Sequence, residues 1–395
     1  MLTRGWLVND LTHSPFLVSL VPALLMAPQL VFTIAGGEIA DRFDRRSVIA
    51  LGETGLFVIY SALTALVLSG NVEAWHILAL TGAHGLIGAI VGPSRQSLIS
   101  DLVPAEMQRG AIGLSPAIFN VAQITGPAVG GIILATMGPG AAMAFSAILL
   151  VPALPLYHSL RSLRVAPQRN RGSVLRNVRD GAGYVAGHHG LRWFMLAGFV
   201  MILTVNSWGA LFPTLVEDVL HKGAGGLATI SIAVGFGALF GSLVGVLLGS
   251  RFSERQIEIG SGFVFTAMVG ALAMSTSFPL SVLIAAVGAC AATVFFVTNM
   301  VAMQMMASAE FRGRVISLRF VMFGFNPVGM MAIGALAEVM GVRWALAVFG
   351  LAGALLLGAV TLLLRAPEGR APVAEPVILA PVSGGQDAPE ERRIG

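Results

Sequence analysis

The sequence predicts an all-α polytopic membrane protein. Hydrophobic residues make up 56% of its 395 residues and charged residues only 11%, and the mean hydropathy is +0.83. A soluble protein does not need so large an apolar fraction. The apolar residues form continuous runs of about 20, the length of an α-helix across a bilayer, whereas a membrane β-barrel would alternate over about ten residues. Both observations favour membrane-spanning helices over a large soluble protein.

Eleven apolar runs, separated by Gly, Pro and charged residues, predict eleven complete spans. Residues 365–395, which follow the last run, are rich in Pro, Ala, Gly and charge and show no hydrophobic period, so we expect a disordered tail. The predicted spans lie at 14–39, 47–69, 75–99, 111–135, 140–160, 192–216, 227–249, 256–277, 280–306, 315–340 and 343–364.

The basic residues indicate how the spans are oriented. The chain has a formal net charge of +4, with 23 Arg and one Lys. The Arg residues occur in short clusters between apolar runs, which indicates membrane topology rather than a nucleic-acid partner. Connections on one side hold only Lys222 and Arg343, so the positive-inside rule places the Arg-rich connections and the C-terminus in the cytoplasm. The Arg-rich connections, with 17 Arg in total, are 41–46, 95–110, 161–192, 251–255 and 312–319.

The first thirteen residues do not complete this pattern. With the C-terminus inside, eleven spans would leave Met1 outside, and residues 1–13 hold only a short apolar piece, GWLV, that cannot span a bilayer. We expect residues 1–13 to be the last turns of a first helix that is largely missing. An unusual odd topology is the alternative.

A weak internal repeat predicts two halves. Segments 100–119 and 305–323 align at an offset of 204, which pairs Glu106 with Glu310. Both segments fall at an Arg-rich connection, as expected of a transporter built from two parallel six-helix repeats. The predicted organisation is an N-terminal helical half with a truncated first helix, a cytoplasmic linker, a C-terminal helical half and the tail, at 1–160, 161–191, 192–364 and 365–395.

The stretch GGEIADRFDRR, residues 36–46, puts six ionic side chains directly after an apolar run. A solvated loop that sets topology is one interpretation. The pattern Gly-x-x-x-Asp-Arg-x-x-Arg-Arg, however, resembles the signature loop between the second and third helices of the major facilitator superfamily. That family usually has Gly where this chain has Asp44. The resemblance implies the major facilitator fold and a cytoplasmic gate formed by Gly37, Asp41, Arg42, Arg45, Arg46 and Asp101.

The same resemblance implies partners for two gate residues. Asp41 would face the N-terminal end of the helix that begins near Arg314, where the helix dipole and unpaired N–H groups favour a carboxylate. Arg45 would pair with Asp101. Because one exposed ion pair contributes only about 0–1 kcal/mol, such a gate would depend on the whole network.

A second motif resembles the antiporter motif of the fifth helix, which occurs mainly in exporters of the superfamily, with Ala122 in place of one expected Gly. Small residues repeat every four positions here and form a smooth ridge that lets another helix approach closely, while Pro127 bends or softens the helix. We expect this ridge to pack against a second one at the interface of the halves; generic helix packing is the alternative. The motif residues are Gly113, Ala122, Gly126, Pro127, Gly130 and Gly131, and the second ridge is Gly237, Gly241, Gly245 and Gly249.

Further stretches resemble the branch that contains enterobactin exporters and macrolide-efflux proteins, and the resemblance covers the chain except its tail. In that branch WLVNDLT normally closes the first helix, which agrees with a missing first helix. Its substrates are diverse, so the resemblance implies export of a small molecule rather than of one compound. The stretches are WLVNDLTHSPF (6–16), GPSRQSLISDLVP (92–104), FNVAQITGPAVGG (119–131) and EFRGRVISL (310–318).

Ionisable residues inside spans are costly and few, so each is a candidate proton carrier. Glu53 is the only clear acid deep in a full span, and His84 lies mid-span. A helix-paired carboxylate and a neutral, hydrogen-bonded imidazole are the respective alternatives. Asp10, at the outer end of the fragmentary first helix, is a third candidate unless it lies in water. The residues expected to line a polar and aromatic cavity are Asn120, Gln123, Asn206, Trp208, Asn299 and Asn326.

These features predict a proton-coupled exporter of a small drug-, macrolide- or siderophore-type molecule, which works by rocking two halves. We expect a monomer in the inner membrane, in contact with lipid and without a cofactor. The chain lacks an ATP-binding glycine loop, HExxH and GxSxG, which argues against an enzyme. The single Cys290 argues against a disulfide framework or a cysteine-rich metal site. A proton-coupled importer, a non-transporting receptor and an inactive remnant are the alternatives.

Overall fold

The structure, a computed structural model, describes residues 1–104, 107–159, 174–308 and 310–364, and for some helical residues it describes the backbone only. Residues 160–173 of the predicted linker and the predicted tail, 365–395, lie outside the described residues. The helices are α1 (Leu2–Thr12), α2 (Pro15–Arg42), α3 (Arg45–Leu68), α4 (Ala74–Leu102), α5 (Gln108–Ile148), α6 (Ala153–Ser159), α7 (Val174–Gly187), α8 (His189–Leu203), α9 (Phe212–Thr214), α10 (Gly223–Gly249), α11 (Glu254–Met274), α12 (Phe278–Met306), α13 (Arg312–Phe323), α14 (Asn326–Met340) and α15 (Val342–Leu363).

Within the described ranges, ten segments are long and apolar enough to cross a membrane, one fewer than predicted. The difference arises only because α5 is counted as one helix, although it holds the predicted span 111–135 and part of the predicted span 140–160 as two separate helical parts. The two parts meet at a kink where Gly138 has φ 85° and ψ 176°. Pro139 disfavours the helical conformation of the residue before it, and Gly138 takes this positive φ without steric cost.

Two other predicted spans are interrupted. The span predicted at 192–216 contains α8, which is followed by a 3-10 segment, Val205–Leu211, then by α9 and by a π-helical turn, Leu215–Val219. The span predicted at 315–340 is divided into α13 and α14. Pro327 stands in the first turn of α14, where its missing N–H costs nothing, so the helix restarts there.

Residues 1–13 form α1, a short helix packed on α2, α4, α5 and α9. Leu7 and Val8 are buried in this packing. His13 ends α1 in the left-handed conformation, with φ 50°. Ser14 then caps α2, because its Oγ accepts a hydrogen bond from Leu17 N at 3.3 Å, and Pro15 opens the helix.

The helices before and after the linker form two sets: the first set is α1–α6 and the second set is α8–α15. They meet where α2 packs on α14 and α5 packs on α10. The basic end of the bundle is the end at which α2, α4 and α10 finish and α3, α5 and α11 begin, with the Arg-rich connections. The opposite end is the end at which α2, α10 and α12 begin.

Helix α7 lies within the stretch predicted as linker and packs on α8 and α13. Tyr184 stacks on Phe311, with ring centres 4.3 Å apart, and its hydroxyl accepts a hydrogen bond from Ser308 N at 3.2 Å. Arg314 Nη1 lies 3.6 Å from Asp180 Oδ2. This part of the linker is therefore attached to the second set.

Candidate functional site

The two sets approach each other closely toward the opposite end. A Cβ at Gly334 of α14 would lie 2.6 Å from the Cβ of Ser19 on α2, and a Cβ at Gly131 of α5 would lie 2.8 Å from that of Ala228 on α10. Glycine at both positions lets the backbones meet. This end of the interface between the sets is therefore closed.

Nearer the basic end, several glycines of α5 and α10 have open space beside them. Gly126 and Gly130 on α5, and Gly245 and Gly249 on α10, have no atom within 4 Å of the place a Cβ would take. The predicted packing of the two glycine ridges on each other is thus wrong for this conformation. Gly237 faces the backbone of Ala286 on α12 instead, and Gly241 faces that of Cys290.

Two carboxylates join the sets at the opposite end. Glu338 Oε2 of α14 accepts hydrogen bonds from Ser14 Oγ at 2.8 Å and from Phe16 N at 3.2 Å. It lies at the N-terminus of α2, where the helix dipole favours a negative charge. Asp218 Oδ1 accepts a hydrogen bond from Asn9 Nδ2 of α1 at 3.4 Å and lies 3.5 Å from His13 Nδ1. We call these contacts the opposite-end latch.

The residues predicted to form the basic-end gate are only partly described. Arg45 and Arg46 are buried despite their place in a predicted loop, whereas Arg42 is exposed. Asp44, which stands where the family usually has Gly, caps α3: its Oδ2 accepts from Ser47 N at 3.0 Å. For three predicted gate residues the structure describes the helical backbone only, namely Gly37, Asp41 and Asp101.

The antiporter motif of α5 is only partly packed on the second set. Ala122 and Gly126 are exposed, and only Gly131 makes the close contact with α10. The break in α5 is at Gly138 and not at Pro127. For Gly113 the structure describes the helical backbone only.

Of the three predicted proton carriers, Glu53 is the most enclosed. Its carboxylate accepts a hydrogen bond from Arg95 Nη2 and forms an ion pair with it, while the Arg95 side chain is 53% exposed. Asp10 is exposed. His84 is half-buried, and its ring centre lies 5.7 Å from that of Tyr60.

The neighbourhood of His84 also contains Arg4, which the sequence analysis left without a role. Arg4 is buried, donates from Nη1 to Thr81 Oγ1 at 3.2 Å, and lies over the Tyr60 ring at 4.7 Å. No carboxylate among the described residues pairs with Arg4. A second positive charge on His84 would meet this cation without compensation.

Most predicted cavity residues lie elsewhere. Trp208 is buried against Phe212 and Phe265 within the second set, and Asn299 is buried and hydrogen-bonded between helices, so neither lines a gap between the sets. Asn206 is half-buried. Asn326 is at the interface, where its Nδ2 lies 3.8 Å from Met26 Sδ of α2. The side chains of Asn120 and Gln123 lie outside the described part.

Sequence reasoning missed the most completely buried acid. Glu258 of α11 is 0% exposed, and Arg319, which was counted as a loop charge, is only 9% exposed. Asn299 lies between them: its Nδ2 donates to Glu258 Oε1 at 2.9 Å, and its Oδ1 accepts from Arg319 Nε at 3.3 Å. A signal was available in the internal repeat, because Glu53 advanced by 205 residues reaches Glu258 and Arg95 advanced by 204 reaches Asn299.

A cavity of about 500 Å³ lies between α10, α11 and α12, with mostly apolar walls that include Val244, Phe252 and Ile257. Its residues all belong to the second set, so it is separate from the interface between the sets. In the described ranges no three His, Cys, Asp or Glu side chains come together as metal ligands would.

Relatives of known name are bacterial transporters. The chain is 26% identical over 350 residues to the multidrug efflux pump Tap of Mycolicibacterium fortuitum, an alignment covering 86% of this chain and 85% of that protein. It is 23% identical to the staphyloferrin A transporter of Staphylococcus aureus, covering 88% and 87%. It is 22% identical to macrolide efflux protein A of Streptococcus pyogenes, covering 85% and 84%.

Solved structures show the same fold. A bacterial homologue of the human lysosomal transporter Spinster matches with a TM-score of 0.68 at 14% identity, covering 92% of this chain and 94% of that one. A bacterial homologue of the iron transporter ferroportin matches with a TM-score of 0.65 at 16% identity, covering 93% and 96%. The family model described as transmembrane secretion effector matches residues 1–379. The chain is therefore a multi-pass membrane transporter of the major facilitator type and belongs to the transmembrane secretion effector family.

Proposed function

We propose that this transporter exports a small amphipathic molecule in exchange for protons, by alternating access. One observation carries the proposal: the two sets touch toward the opposite end, through Gly334 and Gly131, whereas Gly126 of α5, nearer the basic end, has open space beside it. A transporter in this state offers its substrate path to one side of the membrane only. The reverse arrangement of the same contacts would offer it to the other side.

The basic end faces the cytoplasm in this proposal, and the protein lies in the inner membrane with its C-terminus inside. The positive-inside rule supports this orientation. The two moving bodies are 1–160 and 192–364, joined by the linker 161–191. The state described here then opens inward, where an exporter collects its substrate.

The substrate is a drug-, macrolide- or siderophore-type molecule. The names of the relatives support this class, since they include a multidrug efflux pump, a macrolide efflux protein and a staphyloferrin A transporter. Asn326 and Met26, which meet where α14 packs on α2, offer one polar and one polarizable apolar side chain for such a molecule.

Closure of the basic end completes the cycle. Small residues at Ala122 and Gly126 of α5 leave room for α10 to approach there. The network of Asp41, Arg45 and Asp101 would hold the closed state. The ion pair of Glu53 and Arg95 lies a few residues from Arg45 and Asp101 in the sequence, so closure of this network would also affect that ion pair.

The test uses everted membrane vesicles, in which an exporter moves its substrate inward. Vesicles with and without the transporter receive a pH gradient, and accumulation of ethidium, radiolabelled erythromycin and a labelled ferric siderophore is measured. We expect accumulation of at least one compound that stops when an ionophore collapses the pH gradient. Vesicles from cells without the protein are the control for passive entry.

Two outcomes would contradict the proposal. Gradient-dependent loss of the compounds from everted vesicles, with uptake by intact cells, would identify an importer. Tight binding of a compound without movement in either direction would identify a receptor or a remnant that does not transport.

A further inference from the structure

The carboxyl group of Glu258 has no direct cationic partner. Asn299 Nδ2 donates to its Oε1 at 2.9 Å, and Oε2 has no hydrogen-bond partner. Among the described residues no Lys, Arg or His lies within ion-pair distance of it. A buried carboxylate with one neutral donor is costly, whereas the same group carrying a proton is not. The site therefore suits a carboxyl group that gains and loses a proton.

The corresponding site in the first set differs in one respect. There Glu53 pairs directly with Arg95, and the repeat places Asn299 where Arg95 would stand. The charge of Glu53 is thus compensated, and that of Glu258 is not. Of these two matching acids, Glu258 is the one whose surroundings favour exchange of a proton.

Arg319 supplies a compensating positive charge, but it reaches Glu258 only through Asn299. Its Nη2 donates to Phe296 O at 3.1 Å, its Nε donates to Asn299 Oδ1 at 3.3 Å, and its guanidinium lies over the Phe323 ring at 4.7 Å. The chain Arg319–Asn299–Glu258 therefore links α13, α12 and α11 through hydrogen bonds.

The same series of hydrogen bonds reaches the interface between the sets. Arg319 lies on α13, five residues before Gly324, and a Cβ at Gly324 would lie 2.6 Å from Leu30 Cδ1 of α2. Movement of α2 against α13 and α14 would therefore be passed to Arg319, and through Asn299 to Glu258.

The remaining surroundings of Glu258 contain few charges. Helices α10 and α12 have no acidic or basic side chain, and α15 has only Arg343, which donates to Ser275 O near the opposite end. From α8, His189 and Arg192 lie at the basic end. On α11 itself, Arg255 lies over the Trp193 ring and donates to Leu364 O, and Glu254 is exposed.

We propose that Glu258 is the proton-binding residue of coupled transport and that Arg319 is a positioning residue that alters its proton affinity as the sets move. This proposal rests on the proposed proton-coupled export. The carboxylate takes one proton from water when the opposite end is open, and it returns that proton to water when the basic end is open, the state in which Arg319 is linked to it through Asn299. No covalent bond other than O–H forms or breaks.

The test compares Glu258→Gln with Glu254→Gln, a matched change on the same helix at an exposed acid. Purified protein in liposomes is measured in two modes: ethidium transport driven by a pH gradient, and ethidium exchange at equal pH on both sides. We expect Glu258→Gln to lose gradient-driven transport and the accompanying proton flux while it retains exchange. Glu254→Gln should match the wild type in both modes.

Each failure has its own signature. If the wild type moves neither ethidium nor erythromycin nor the ferric siderophore under a pH gradient, the proposed function fails. If the wild type is coupled and Glu258→Gln is coupled equally, the assignment of Glu258 is overturned. If Glu258→Gln does not fold, Glu258→Asp is used, and an unchanged pH midpoint of transport in that variant would also overturn the assignment.

The role of Arg319 has a separate readout. Arg319→Gln removes a positive charge near Glu258, which makes the ionised carboxylate less stable and raises its proton affinity. The pH midpoint of ethidium exchange should therefore move to higher pH. A purely structural role would lower the rate at every pH and leave the midpoint in place.

Discussion

Glu53 is buried at the start of α3 because Arg95, near the end of α4, reaches it from the basic end. The arginine keeps about half of its side chain in contact with solvent while its guanidinium neutralises the acid. A half-exposed partner of this kind contributes less than a fully buried one, because water also solvates it. Its removal nevertheless leaves a carboxylate with no other described cation.

We expect Arg95→Met to lower the free energy of unfolding by about 1–3 kcal/mol, since it strands the charge of Glu53. The double variant Glu53→Gln with Arg95→Met should recover most of that loss. Thermal unfolding of the wild type, both single variants and the double variant in detergent measures the interaction. A double variant less stable than Arg95→Met would contradict this account.

Single residues were the hardest to predict from the sequence. Glu53 was identified because it interrupts a long apolar run, whereas Glu258 stands only five residues after Ser253, among other polar residues that mark a helix start. Arg319 was assigned to a connection because arginines cluster before it. Burial in both cases depends on contacts among α11, α12 and α13, which no local pattern encodes.

Helices, in contrast, were predicted well wherever apolar runs end in Gly, Pro or charge. The break predicted at 136–139, from Gly138 and Pro139, is confirmed, since Gly138 has non-helical backbone angles between two helical parts. The positive φ of Gly138 changes the direction of α5 while the helix resumes at once. Gly and Pro together therefore mark a change of backbone direction, which is a loop in some helices and a kink in others.

At the level of the element, the open face of α5 makes a specific prediction. Gly126→Trp fills empty space in this conformation, so folding should be unaffected. The indole would block the approach of α10 in the other state, so transport of ethidium should fall severalfold while binding remains. Gly270→Trp, also at a position with no neighbour within 4 Å, is the control. Full transport by Gly126→Trp would show that the two ridges do not approach.

For the whole molecule, the fold was predictable because motifs and span count agree with a known architecture, and the family match confirms it. The conformational state of the transporter could not be predicted from the sequence. One sequence must encode contacts for two states, and nothing local says which set of contacts is formed. The opposite-end latch of Glu338 and Asp218, with the open glycines on α5 and α10, identifies the state described here.

Spin-label distances at the two ends should change in opposite senses during transport. In a Cys290→Ser background, labels at Leu114 and Val246 report the basic end, and labels at Leu11 and Val339 report the opposite end, all at exposed positions. We expect a second population, with a shorter basic-end distance and a longer opposite-end distance, whose share changes with pH.

A pair within the first set, Leu11 and Leu68, serves as the control and should keep one distance. Shortening at both ends together would indicate compaction rather than alternating access.

The attachment of α7 has a consequence for biosynthesis. Tyr184 leaves the ribosome well before its partner Ser308, 124 residues later in the chain, and translation proceeds from the N-terminus. During that interval α8 to α12 have to enter the membrane, and α7 waits beside them without its stacking partner. The contacts with Phe311 and Arg314 can form only after the first five elements of the second set have been inserted. Helix α7 therefore makes its contacts with Phe311 and Arg314 late, after α8 to α12 have been inserted.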